Sequence, residues 1–223
     1  MVQRISPAIQ DGAPGAFYSA SSDPVQPSII FLNLRSVAEN ALWRIPTLLH
    51  HEGIPGHHFQ DSVLGEAGGL SLFRRTVRFS AWTEGWALYA EAEMVPYEPL
   101  EGQLIALQFR LLRAARAMLD PMLNLGLTDR ANGERVLIEQ VGLSKAMATQ
   151  ELDRYTVRMP GQAGSYFYGY TRILELRMQT ELALGAKFDR KAFNNFLLDQ
   201  GLLPPDQLAK AVKEQFIPAQ QRK

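Results

Sequence analysis

Ser80 to Met94 reads SAWTEGWALYAEAEM, a run rich in Ala, Glu and Leu and therefore a good helix former. Downstream, Pro99 to Leu123 is the longest helical candidate. It carries Leu104, Leu107, Leu111, Leu112 and Ala115 at i, i+3/i+4 spacing. Arg110, Arg113 and Arg116 of that segment are expected on a solvated flank. Thr128 and Ser144 fit N-caps of two further helices, with Gly142 as a stop between them. Helical periodicity returns from Gln162 to Leu184 and ends at Gly185. Asp189 caps a helix to about Gln200, and Asp206 begins a last one after Pro204-Pro205. Upstream, residues 6–28 are rich in Pro, Gly, Ser and Asp and read as loop. Phe17-Tyr18 and Ser28 to Leu34 (SIIFLNL) fit short strands. The expected class is mainly α, with at most a small β element near the N-terminus. No repeat or linker divides residues 1–223, which read as one helical domain.

Composition narrows the function. The chain is 46% apolar and 21% charged, which excludes wholesale disorder. Lys plus Arg (23) cancels Asp plus Glu (23), so the chain lacks the field that nucleic acid or an anionic membrane surface requires. The absence of cysteine excludes disulfides, thiolate zinc sites and a Cys nucleophile. No apolar run approaches the ~18 residues of a membrane span. The first residues lack the apolar core of a secretory signal. Compartment stays open: cytoplasmic as the chain stands, periplasmic or secreted if a leader precedes it.

The four histidines all fall in His50-His51-Glu52-Gly53-Ile54-Pro55-Gly56-His57-His58. In the zinc-peptidase pattern H-E-x-x-H, both histidines share a helical face and the Glu reaches the attacking water. Here His57 follows His51 two residues too late. On a straight helix the two rings would lie roughly 120° apart in azimuth. Pro55 and Gly56 account for the excess: Pro breaks the hydrogen-bond ladder and Gly permits an irregular backbone. A bulge there would bring His57 to the i+4 position. The plainer alternative is that Pro-Gly ends a helix and leaves the histidines in a loop. Glu84, between Trp82 and Trp86, is a candidate third ligand, since a carboxylate among aromatics needs a partner. Glu91, two turns along, is placed to orient a ligand histidine. His58 and Asp61 are weaker candidates for that supporting role.

These segments resemble the bacterial domain of unknown function 885 family. The resemblance rests on HEGIPGHHFQ (residues 51–60), EGWALYAE (84–91), Arg154-Tyr155, PGQAGSYFYG (160–169) and Phe188-Asp189. It implies a helical gluzincin-like fold of the neurolysin and angiotensin-converting-enzyme kind, of which this chain would be the C-terminal, metal-bearing half. It further implies His51, His57 and Glu84 as zinc ligands, Glu52 as catalytic base and Tyr166 as a transition-state hydrogen-bond donor. Two departures stand out. Asn124 and Asn194 occupy positions where the family pattern has histidine, and Asn cannot become cationic.

The expected function is zinc-dependent hydrolysis of a peptide or small amide bond. The residues between Ser28 and Leu34 would hold the substrate by strand addition if they form an edge strand. The alternative is a catalytically inactive helical remnant that binds metal or a partner protein. If an upstream half is missing, an exposed apolar surface or a dimer is expected near the cleft. Nucleic-acid binding through the Arg110–Arg116 stripe is poorly supported at zero net charge.

Overall fold

The computed structural model describes residues 1–11, 13–21, 23, 25–36 and 41–222. It is mainly α, with one small sheet at the N-terminal end. Strands β1 (Val2–Arg4), β2 (Ala16–Ser19) and β3 (Ile29–Leu32) lie in the order β1-β3-β2. β1 runs parallel to β3, and β2 runs antiparallel to it with Phe17 opposite Phe31. Those two rings stack at 4.9 Å. β3 is therefore central rather than an edge. Val2–Arg4 takes one of its sides, a pairing that three exposed residues do not announce in sequence. β2 is the strand that lines the main cavity.

The helices are α1 (Ile45–Glu52), α2 (His57–Glu66), α3 (Leu72–Thr76), α4 (Ser80–Met94) and α5 (Leu100–Asn124). After them come α6 (Arg130–Arg135), α7 (Lys145–Asp153), α8 (Ser165–Leu184), α9 (Arg190–Asp199), α10 (Pro205–Ala211) and α11 (Ile217–Gln221). Ser144 and Asp189 cap α7 and α9 with their side chains. Asp129, not Thr128, caps α6; the Thr128 hydroxyl instead accepts from the Asn132 side chain. Gly142 stops the preceding turn at φ +77°, where a side chain would be strained.

Two apolar clusters flank the cavity. One joins α4, α8, α9 and the C-terminal helices through Trp82, Trp86, Tyr89, Ile173, Phe193 and Phe216. The other joins α5, α7 and the segment between them through Leu112, Leu119, Leu137, Leu152 and Tyr155. The helices α4 and α8 press together at two glycines. A Cβ on Gly169 would lie 1.8 Å from the Ala81 carbonyl oxygen, and one on Gly85 2.6 Å from Gly169 Cα.

Helix α5 departs from its sequence reading. Leu112 and Ala115 are buried, but Leu104, Leu107 and Leu111 face outward in an apolar stripe. Arg113 and Arg116, expected on a solvated flank, are buried. The reason is pairing: Glu91 and Glu151 compensate their charges inside the fold. Among the described residues, no helix is long and apolar enough to cross a membrane.

Candidate metal centre and its cleft

The helix carrying His51 ends one residue later, at Glu52. The chain turns through Gly53 and a cis Ile54–Pro55 bond, and α2 starts at His57. The expected bulged helix is thus an interruption between two helices. Both histidines remain helical, one closing α1 and the other opening α2. Close packing demands the glycine, since a Cβ on Gly56 would lie 1.9 Å from the His51 carbonyl oxygen. Trp86 Nε1 donates to the Pro55 carbonyl at 2.9 Å, which ties this corner to the helix bearing Glu84.

The corner brings the two imidazoles face to edge, with centroids 4.8 Å apart and planes at 86°. Ligand atoms of His51, His57 and Glu84 all lie within 4.8 Å of one another. Nε2 of His51 lies 3.5 Å, and that of His57 3.3 Å, from Glu84 Oε2. Yet Oε2 is buried without an aligned hydrogen bond. An orphaned carboxylate oxygen costs free energy, and one positive ion between the three groups would remove that cost. Burial works against a charged Glu84, but His51 and His57 hold its carboxyl well below the usual carboxylate range. Burial likewise disfavours a cationic His51, but Glu84 and Glu91 outweigh it and raise the group to about 9. Two nitrogens and one carboxylate oxygen form a recurrent catalytic zinc donor set.

Glu91 is buried and lies 2.6 Å from His51 Nδ1. In the neutral ring, the form that a metal ion would hold, an Nδ1–H donated to it leaves the Nε2 lone pair facing the cluster. Burial opposes the charge of Glu91, but Arg113, which donates to Oε1 at 2.9 Å, and His51 lower its pKa. Glu52, next to His51, lines the same cavity. So does Tyr166, whose ring lies nearly parallel to that of His51, 6.1 Å away. Arg154 donates to the Tyr166 oxygen at 2.9 Å, which leaves the phenolic proton available to another acceptor. Burial, helped by Glu84, keeps that phenol protonated by raising its pKa.

Other candidates go elsewhere. His58 turns to Tyr18 Oη of β2 at 3.3 Å, and Asp61 pairs with Arg78 at 3.2 Å. Both are engaged by partners outside the cluster, so neither orients its histidines. His50 pairs with buried Glu98 at 2.9 Å. Asn124 braces buried Asp120, which accepts from the Gly161 and Ala163 amides and so holds the loop entering α8. Asn194 accepts from Tyr89. Neither asparagine lines the cavity. The sequence reading put Arg113 on a solvated flank and Arg154 and Gln162 only in the segments that carry the family resemblance, with no role at the site. Their partners are 8 to 78 residues distant in the chain, beyond any periodic signal.

The comparisons agree with this architecture. One similar solved structure is described as "the putative lipoprotein from Colwellia psychrerythraea", with 33% identity and a TM-score of 0.92. It matches 100% of this chain but 38% of its own. Another, described as "a putative lipoprotein of unknown function from Shewanella oneidensis", has 25% identity and a TM-score of 0.79. It matches 96% of this chain and 40% of its own. The chain thus spans about two fifths of the length of these relatives. No curated protein matches it. Residues 1–212 match the family described as "Bacterial protein of unknown function (DUF885)", and the chain belongs to that family.

Proposed function

We propose that this chain is a zinc-dependent hydrolase of peptide or small amide bonds, with a gluzincin-like site. The observation that carries the reading is the convergence of His51, His57 and Glu84 on one point, with Glu52 and Tyr166 in the same cavity. The cavity, about 670 Å³, suits a short peptide. Zinc held there would supply Lewis-acid polarisation of the carbonyl and acidify the attacking water.

The chain's own residues do the rest. The Glu52 carboxylate takes a proton from the water as its oxygen attacks the carbonyl carbon, then gives it to the departing nitrogen. The Tyr166 hydroxyl donates to the carbonyl oxygen as negative charge develops there. Arg154, donating to the Tyr166 oxygen, makes that proton a better donor. Glu91 fixes the His51 ring and Arg113 fixes Glu91. The lipoprotein description of the relatives, carried over, makes this an extracytoplasmic enzyme.

Glu52 beside a ligand has a chemical rationale without a ligating one. Glu52→Gln is expected to bind zinc like the wild type while peptide hydrolysis falls ~10²-fold or more. His51→Ala is expected to lose the metal together with the stability that metal binding adds. Zinc content, melting temperature and cleavage of a mixed peptide library check both. A wild type that holds zinc but cleaves nothing above the Glu52→Gln background would replace the enzyme with the non-catalytic remnant.

A further inference from the structure

The loop that enters α8 has a support of its own. The carboxylate of buried Asp120 accepts from the Gly161 amide at 2.8 Å and from the Ala163 amide at 2.9 Å. These two bonds flank residue 162 and fix its backbone, and the Gln162 side chain lines the cavity. There its amide meets groups of opposite kind. Arg154 Nη2 donates to Gln162 Oε1, and Gln162 Nε2 donates to Glu84 Oε1 at 3.5 Å. A guanidinium only donates, and an ionised carboxylate only accepts. A primary amide serves both at once. A carboxylate in its place would repeat the charge of Glu84, an ammonium would repeat that of Arg154, and an apolar side chain would serve neither.

We propose that Gln162 is a positioning residue that holds Glu84 and, through Arg154, Tyr166 in one fixed arrangement. At the metal end, Gln162 engages Oε1 of Glu84. That leaves Oε2, which is buried without an aligned hydrogen bond, between His51 and His57 as the oxygen for a metal ion. A three-ligand zinc site of this kind keeps its fourth position for water or substrate. At the other end, the Nη2 of Arg154 that donates to Gln162 also donates to Tyr166 Oη at 2.9 Å. The two N–H bonds of that nitrogen lie in the fixed plane of the guanidinium. Occupation of one by Gln162 therefore aims the other at Tyr166. Without Gln162 the carboxylate is free to turn about its own axis, and the phenol loses its aligned donor. The proposal rests on the metal centre of the reading above.

Zinc affinity tests the metal end without turnover. Gln162→Met keeps the length of the side chain and removes both hydrogen bonds. Competition with a chelator is expected to show zinc held ~10-fold or more weakly by this variant, while the metal-free protein melts like the wild type. With zinc saturating, kcat for peptide cleavage is expected to fall ~10-fold or more with KM little changed, since Tyr166 acts on charge that develops after binding. Unchanged zinc affinity overturns the positioning role and leaves the hydrolase standing. Affinity that falls only in step with the melting temperature of the metal-free protein assigns Gln162 to the fold and also overturns it. So does a KM that rises with kcat unchanged, which would make Gln162 a substrate contact. Weakened zinc binding in a chain that cleaves no peptide supports the positioning role and removes the hydrolase. A wild type that binds no zinc overturns both. Should Gln162→Met not fold, a structure of the zinc-loaded wild type decides. Zinc on Oε2 with the Gln162 amide on Oε1 supports the proposal; zinc on both oxygens, or an amide turned away from Glu84, overturns it.

Discussion

At the residue scale, the candidate centre depends on groups that hold its ligand candidates. His51 Nδ1 meets Glu91 at 2.6 Å, and Arg113 meets the same Glu91 oxygen at 2.9 Å. A neutral amide at position 91 still accepts through its oxygen but carries no charge to hold the imidazole proton, and it leaves Arg113 buried without its counter-charge. Glu91→Gln is therefore expected to weaken zinc binding by 10–100-fold, with Glu52 and Tyr166 still in place. Competition with a chelator of known affinity measures it, and unchanged affinity would mean that Glu91 supports only the fold. The ligand candidates themselves were legible, because all four histidines stand in one window. The bracing arginines were not, because a charged residue on a helix gives no sign in sequence of whether it turns toward water or inward.

At the element scale, the decisive contact is α4 against α8, which sets Glu84 opposite Tyr166. Gly169 lies so close to the Ala81 carbonyl that any side chain must push the helices apart. Gly169→Ala is expected to destabilise by about 3 kcal/mol and to reduce metal binding through displacement of Glu84. Gly65→Ala is the control: nothing lies within 4 Å of a Cβ there, and alanine favours a helix by about 0.5–1 kcal/mol. Urea unfolding of the two variants checks the contrast; equal effects would deny the close-approach argument. Helix boundaries were largely legible from caps and periodicity, as at Ser144 and Asp189. The break after Glu52 was legible from Pro55 and Gly56 in kind, as a disruption, but not in form. A bulge and a two-helix corner satisfy the same residues.

At the scale of the whole molecule, a buried charge pair spans α5 and α7. Burial raises the Glu151 pKa, but Arg116, then Arg154, overcome it and bring the carboxyl to about 2. A lowered carboxyl stabilises the fold above its unfolded value and loses that contribution as pH falls through its folded value. The contribution of Glu151 should be complete above the ordinary value of 4.5 and disappear on descent toward about 2. The stability gap between wild type and Glu151→Gln is thus expected to narrow as pH falls from 6 to 3, since protonated Glu resembles Gln. Denaturant unfolding across that range tests it, and a gap independent of pH would refute the ionic role. The outward stripe of Leu104, Leu107 and Leu111 shows the limit of periodicity at this scale. An apolar face says that a helix has a side to cover, not which neighbour covers it.

The sequence by itself determined the helical class, most helix ends, and the identity of His51, His57, Glu52, Glu84 and Tyr166 as the candidates for chemistry. Those follow from local propensity, from residue spacing, and from the segments that resemble a family. Only the tertiary structure decided that β3 lies inside the sheet with β2 at the cavity, that His58 and Asp61 leave the cluster, and that arginines line the cleft. These depend on pairings between distant segments, where compensation of a buried charge or oxygen determines the partner. No periodicity along the chain records which distant group provides it.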